Sequence, residues 1–202
     1  MKLVLIITDI GGPPALHDLL SQLPKDYQLP IVVIQSSDAG IFEASAAVLN
    51  RTVQLEVAML GDDAVLQAGH VYFARPEKLY RLDQVDSGLA VKMEDESLTE
   101  AALCGTIENF AQCCGKQLAV IFLSGKTAGE ELLTGCRRLE NQGCRILVLD
   151  REEAPVFDMG KQILSRIPSA EEISIAGIVH FLAAPDDSLS RLGTQQTHST
   201  RQ

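Results

Sequence analysis

The 202 residues are enough for one compact domain, and a composition that is 46% apolar and 22% charged provides a hydrophobic core and excludes an intrinsically disordered chain. Seventeen basic and 27 acidic side chains leave a formal charge of −10, which argues against a nucleic-acid backbone or an anionic membrane surface as the main partner. No apolar run reaches the about 18 residues of a membrane span, and Asp9 ends the N-terminal apolar run too early for a signal peptide.

The first fifty residues alternate buried strands with helices. The pattern predicts strands at residues 3–8 and 31–34 and helices at residues 16–23 and 42–49. Pro13 and Pro14 fit the first turn of a helix, where a missing N–H group costs little. This strand–helix–strand alternation is typical of a parallel sheet with helices on both faces.

The middle of the chain has a different pattern, with short alternating strands punctuated by glycines. The predicted strands are residues 54–57, 70–73, 80–82 and 89–91. Hairpins, and therefore an antiparallel excursion from the main sheet, explain this pattern best.

The parallel alternation then resumes. We predict a helix at 98–113, a strand at 118–123, a helix that opens at the turn 124–127 and runs through 139, a strand at 144–149, and helices at 156–165 and 170–182. The predicted fold class is α/β, a doubly wound and mainly parallel sheet with an antiparallel hairpin excursion in the middle. Residues 1–185 form one predicted domain, and the polar residues 186–202 form a predicted disordered tail.

The cysteines are odd in number and lack a Cys-x-x-Cys pair, which favours reduced, buried thiols in a cytoplasmic protein over disulfides or a zinc site. They are Cys104, Cys113, Cys114, Cys136 and Cys144.

Candidate functional residues lie in three loops that follow predicted strands, because open α/β sheets place their chemistry at the carboxyl ends of the strands. The loops are residues 8–12, 35–40 and 124–129. Their candidate residues are Asp9, Gly11, Gly12, Gln35, Ser36, Ser37, Asp38 and Gly125.

Nucleotide binding is not supported by the glycines of these loops. Gly125-Lys126-Thr127 follows a strand as in a P-loop, but the position that needs the first glycine is Val120, inside the strand. Gly11-Gly12 is followed by prolines instead of the spaced third glycine of a dinucleotide fingerprint. We therefore expect no cofactor and no bound metal.

Nucleophilic catalysis requires a hydroxyl or thiol next to a general base. None of the four histidines immediately follows strand 31–34 or strand 118–123, where the partner of a loop nucleophile would lie. Asp9 has two interpretations: it caps the following helix, which we favour because Asp is common at such positions, or it acts as a base or metal ligand together with Asp38.

Four segments in order resemble the esterase domain of CheB-type chemotaxis protein-glutamate methylesterases. They are residues 6–12, 65–76, 120–125 and 155–160, and the resemblance extends from about residue 2 to residue 182. The most specific piece contains Gly69-His70-Val71-Tyr72, which is similar to the Gly-His-Ala-Tyr of the family. The resemblance implies the methylesterase fold and hydrolysis of glutamyl methyl esters on chemoreceptors by a Ser-His-Asp triad.

The resemblance also implies that the triad is missing. The nucleophilic serine of the family corresponds to Asp9, the histidine to Ser36, and the aspartate to Ala128 in a shortened loop. A carboxylate cannot be activated as a serine is, and it would repel the developing oxyanion.

We therefore predict a catalytically inactive, methylesterase-like domain that acts in a cytoplasmic, bacterial chemosensory pathway by binding a chemoreceptor or a coupling protein. The alternative is an active methylesterase or other hydrolase with relocated residues, Asp9 and Asp38 around a water or a metal. We also expect no phospho-receiver domain, because the chain begins at the first strand of the esterase-like domain.

Overall fold

Strands and helices alternate along the part of the chain that the computed structural model describes, residues 1–36, 39–95 and 99–183, without the side chains of residues 39, 40 and 99. Ser37, Asp38 and the predicted tail 186–202 lie outside the described residues. In chain order the elements are β1 Leu3–Thr8, α1 Gly12–Leu20, β2 Ile31–Gln35, α2 Ala39–Thr52, β3 Glu56–Met59, β4 Val65–Leu66, β5 His70–Ala74, β6 Lys78–Val85, β7 Gly88–Asp95, α3 Thr99–Cys114, β8 Leu118–Phe122, α4 Glu130–Asn141, β9 Arg145–Leu149, α5 Asp158–Arg166, β10 Ala170–Ile173 and α6 Ile175–Ala183.

A seven-stranded parallel sheet in the order β10-β9-β8-β1-β2-β5-β3 forms the centre of the molecule. β1, β2 and β8 are buried along their whole length, as their continuous apolar sequences predict for central strands covered on both faces. β1 pairs with β2 on one side and with β8 on the other, so the order of the strands reverses at β1.

Helices cover both faces of this sheet, which confirms the doubly wound α/β prediction. The apolar sides of α1, α2 and α6 pack on one face, and those of α3, α4 and α5 pack on the other. The chain therefore leaves β1 towards one face and β8 towards the opposite face. This divergence opens a crevice at the carboxyl ends of the two strands, the place where α/β sheets bind ligands.

A separate antiparallel sheet, in the order β4-β7-β6, confirms the predicted excursion. Its strand β6 lies against α3, whose side chains accept hydrogen bonds from the strand backbone. The Tyr80 N–H donates to Thr106 Oγ1 at 3.0 Å, and the Leu82 N–H donates to Asn109 Oδ1 at 2.6 Å. The helix thus satisfies backbone donors that an edge strand would otherwise leave unpaired.

The prediction was wrong in placing all the middle strands in the antiparallel excursion. β5 and β3 instead extend the parallel sheet beyond β2. Val71 and Phe73 point to one face and Tyr72 and Ala74 to the other, and all four are buried. A strand that is apolar on both faces is covered best inside the main sheet.

Two predicted helix starts were also wrong. α4 begins at Glu130 rather than at the turn 124–127, because the backbone of Gly125 is bonded to Val156 and Met159. The predicted helix 170–182 is a strand, β10, followed by α6. Ser174 separates the two, since its hydroxyl accepts the Gly177 N–H at 3.1 Å at the start of α6.

The five cysteines are free thiols, and three of them are affected strongly by burial. It raises the pKa of Cys136 and of Cys114 to about 12, so these thiols stay protonated and unreactive near neutral pH. Among the helices of the described residues, none combines the length and the apolarity that a membrane crossing requires.

The hydrogen bond that the Tyr80 N–H of β6 donates to Thr106 of α3 generates a stability prediction. Thr106→Val keeps the volume of the side chain but leaves the buried N–H of Tyr80 without its acceptor, so we expect the free energy of unfolding in urea to fall by about 1–3 kcal/mol. Thr134→Val is the matched control, because the Thr134 hydroxyl bonds only the carbonyl of Glu130 in its own helix. Equal losses for both variants would contradict this role of Thr106.

Candidate functional site

A cavity of about 340 Å³ lies at the carboxyl ends of β1, β2 and β8, at the point where the strand order reverses. Its wall combines apolar and polar side chains from the sheet, from α3, α4 and α5, and from the loop after β8. The lining residues are Ile7, Thr8, Asp9, Ser36, Glu100, Leu103, Thr127, Gly129, Leu132 and Met159. All three predicted loops therefore contribute residues to the same cavity.

The turn between β1 and α1 brings Asp9 to this cavity. The Asp9 N–H donates to the Ser124 carbonyl at 2.8 Å, and the Asp9 carbonyl accepts the Gly12 N–H at 2.9 Å. Gly11 takes a left-handed conformation with φ of 79°, which glycine adopts without strain. The N-cap residue of α1 is Gly11 and no side chain caps the helix, so the favoured interpretation of Asp9 as a capping residue was wrong.

Gly12 lets the first turn of α1 approach β1 closely. A Cβ atom at this position would lie 1.9 Å from Oγ1 of Thr8, a side chain that is fully buried. The Gly-Gly sequence is therefore required by the packing of the turn.

Ser124 connects the loops after β1, β8 and β9. Its hydroxyl donates to the Ile10 carbonyl at 2.7 Å and accepts the Val156 N–H at 3.1 Å. The Gly125 N–H donates to the Val156 carbonyl at 3.0 Å, which ties the same two loops together again. Sequence reasoning placed Ser124 in a candidate loop without assigning it a role; its position directly after a buried strand was the available signal.

The structure brings together the three positions at which the resemblance predicts the family triad. Asp9 and Ser36 both line the cavity, and the Ser36 N–H donates to the Thr8 carbonyl at 2.9 Å. Ala128 is buried, and its neighbours Thr127 and Gly129 line the wall.

Two further candidates contact this site without lining it. Gly125 packs on Asp9, since a Cβ atom there would lie 3.1 Å from the Asp9 Cβ. Gln35 is buried behind the cavity, where its Nε2 donates to the Ser45 hydroxyl at 3.3 Å. Ser37 and Asp38 are outside the described residues, as is the predicted pairing of Asp38 with Asp9.

The described histidines lie elsewhere in the fold. His17 is on α1 with its ring 3.6 Å from the Asp18 carboxylate, and His180 is on α6. His70 is the first residue of β5, so it lies at the amino ends of the parallel strands, opposite the ends that form the cavity. Its ring nitrogen is 2.9 Å from the Glu56 carboxylate. Within the described part of the chain, the wall of the cavity contains neither histidine nor cysteine.

Sequence reasoning missed the acidic groups at the mouth of the cavity. Glu100, in the first turn of α3, lines the cavity and faces Glu131, in the first turn of α4. A hydrogen bond with Glu131 and the negative charge of that second carboxylate raise the pKa of Glu100 above its ordinary value. Both are exposed acidic residues near helix N-termini, a common placement that carries no functional signal in sequence. The described residues contain no group of three or more side chains that could hold a metal ion.

Comparison with known proteins gives one consistent family. The profile of the CheB methylesterase family matches residues 4–182. Proteins named protein-glutamate methylesterase/protein-glutamine glutaminase from Hahella chejuensis and Vibrio parahaemolyticus are each 30% identical to the chain, over 95% and 86% of its length. The chain spans about half the length of these relatives, 47% in both cases.

A solved structure shares the fold. The crystal structure of the Thermotoga maritima CheB methylesterase catalytic domain superposes with a TM-score of 0.80, at 24% sequence identity. The match covers 90% of this chain and 96% of the other.

The close approach of α1 to Thr8 generates a prediction about Gly12. Gly12→Ala forces the turn at Asp9 away from β1, so we expect the free energy of unfolding to fall by about 1–3 kcal/mol. Gly61→Ala is the control, because no atom lies within 4 Å of the Cβ it would add. Adding Thr8→Ala to Gly12→Ala removes Oγ1 of Thr8, the atom nearest the new Cβ, and is expected to recover part of the lost free energy of unfolding. If the double variant instead loses the sum of the two single losses, the clash is contradicted.

The Glu100–Glu131 pair generates a prediction about pH. Because folding raises the pKa of Glu100 above 4.5, the native state loses stability as the pH rises through that raised value. Glu100→Gln removes this repulsion and is expected to raise the melting temperature by about 1–2 °C at pH 7, with the gain vanishing near pH 4. Asp86→Asn, an equal charge change in the β6–β7 turn, controls for net charge; an equal gain in both variants at pH 7 would contradict the pairing.

Proposed function

The chain belongs to the CheB methylesterase family, and on that premise we propose that it is a chemosensory signalling protein that binds its partner without hydrolysing glutamyl esters. In this proposal residues 1–185 act as the methylesterase-like domain in the cytoplasm. The observation that carries the proposal is that the carboxylate of Asp9 lines the cavity. The resemblance predicts the nucleophilic serine of the family at this position.

The chemistry of a carboxylate supports inactivity. Ester hydrolysis by this family requires a hydroxyl that loses a proton to an imidazole and then attacks the ester carbon. Asp9 carries no such proton, and its negative charge would oppose the oxyanion that develops in the transition state. Ser36, at the position of the family histidine, supplies a hydroxyl and cannot act as the general base.

The intact scaffold supports binding. The turn at Asp9, the hydroxyl of Ser124 and the loop 125–129 border a cavity at the switch point of the sheet. In the proposal this scaffold is kept while the groups for ester chemistry are replaced. The relatives are named for reactions on protein glutamate and glutamine side chains. We therefore propose that the partner is a chemoreceptor or a signalling protein that couples to one.

The test is methanol release from methyl-labelled chemoreceptor membranes. We expect no release above a buffer control, while the Vibrio parahaemolyticus relative provides the active reference on the same membranes. The same mixtures are then sedimented, and the protein is expected to sediment with receptor-containing membranes and not with membranes that lack receptors.

Methanol release above the buffer control would overturn the proposal if Asp9→Ala or Ser36→Ala abolishes it, and it would favour a hydrolase with relocated residues. Asp18→Ala, on the outer side of α1, is the control and should leave such release unchanged. A bound divalent ion that is lost in Asp9→Ala would identify that alternative as metal-assisted. Equal sedimentation with both kinds of membrane would exclude the receptor as the partner.

A further inference from the structure

Part of the wall of the cavity at the switch point is apolar, a feature that favours a ligand with apolar surface over a small hydrated ligand. Four aliphatic or thioether side chains, from β1, α3, α4 and α5, form this apolar wall: Ile7, Leu103, Leu132 and Met159. All four belong to the buried core, so the packing of the core fixes the wall. Its volume of about 340 Å³ falls within the range of about 300–1,000 Å³ that is typical of sites for organic groups.

Two carboxylates stand at opposite ends of the loop that borders this wall. Gly125 begins the loop in contact with Asp9, and Gly129 ends it in contact with Glu100. A Cβ atom at position 129 would lie 3.0 Å from Oε2 of Glu100. Because glycine has no side chain, the Glu100 carboxylate can pack against the backbone at this position. The cavity is thus apolar inside and negative on both sides of its mouth.

These two carboxylates have no cationic partner within the described residues, whereas other acidic groups nearby do. Glu172 is bonded to Arg151 at 3.0 Å, and Glu130 lies 3.7 Å from Arg166. Glu100 faces a second carboxylate, Glu131, and their mutual repulsion raises the pKa of Glu100. A cation beside Glu100 would offset the negative charge of this pair.

The same features exclude other occupants. A glutamate, a phosphate or another anion would meet the carboxylates of Asp9 and Glu100. A bare metal ion would require more closely grouped ligands than the described residues provide. An uncharged apolar group would fill the wall and leave the carboxylates unpaired.

We propose that this cavity binds the side chain of a lysine from the partner protein, with its aliphatic stem on the apolar wall and its ammonium group between Asp9 and Glu100. The inference rests on the proposed function, because it specifies how the former ester site would engage a partner without catalysis. A lysine side chain has the required form, since its four-carbon stem is apolar and its charge is confined to the tip.

The test compares three probes of matched length by NMR on the ¹⁵N-labelled full chain. They are the Nα-acetyl methylamides of lysine, of norleucine, and of glutamate γ-methyl ester. We expect lysine to shift the amide signals of Ile7, Gly125 and Gly129 saturably, with an affinity at least about fivefold greater than that of norleucine, which has the stem without the charge.

Variants then assign the charge recognition. Asp9→Asn and Glu100→Gln are each expected to weaken lysine binding about two- to fivefold and to leave norleucine binding unchanged. Asp86→Asn is expected to leave both unchanged, because Asp86 lies in the β6–β7 turn outside the cavity. Lysine affinity equal to that of norleucine, tighter binding of the ester, or lysine binding unaltered in both cavity variants would overturn the inference.

Failure of this inference is distinguishable from failure of the proposed function. Methanol is measured in the sample that contains the ester probe. Methanol release overturns the inactive function whatever the lysine affinity, whereas absent lysine binding without methanol release overturns only the identity of the bound side chain.

Discussion

The hydroxyl of Ser124 organises the functional end of the molecule. It is 2% exposed, and it bonds the Ile10 carbonyl, which lies 114 residues away in the chain, as well as the Val156 N–H. Buried polar backbone groups must find partners, and here one side chain provides them for two loops that begin on different strands. This contact ties the turn at Asp9 to the segment that leads into α5, and Asp9 and Met159 of these two regions line the cavity.

The fold around the cavity does not depend on the identity of the side chain at position 9. The turn at Asp9 is held by backbone bonds and by the close approach of Gly12 to Thr8, neither of which depends on the side chain at position 9. The serine-to-carboxylate exchange that the resemblance predicts at this position is therefore compatible with the scaffold, although it would remove the nucleophile and add a negative charge. Glu100 lines the same cavity and faces Glu131, and the proposed recognition of a cation relies on the negative charge of these groups and of Asp9.

Sequence patterns succeeded where burial alone decides the structure. β1, β2 and β8 were predicted almost to the residue, because an unbroken apolar run fits only a strand that is covered on both faces. They failed at β5 and β10, whose sheet partners are set by packing. Residues 70–73 were assigned to the excursion, which glycines punctuate, although β5 pairs within the main sheet. Residues 170–173 were assigned to the helix 170–182, although β10 pairs with β9.

The sequence by itself determined the doubly wound architecture and the three strand-end loops, since both follow from local apolar runs and short motifs. The prediction that Asp9 stands where the family has a serine rests on the resemblance alone. Only the tertiary structure decided that Gly11 and not Asp9 caps α1, and that Glu100 shares a cavity with Asp9. Strand and helix formation depends on neighbours in the chain, whereas a cavity is formed by side chains from distant elements, and their approach is fixed by the packing of helices on the sheet.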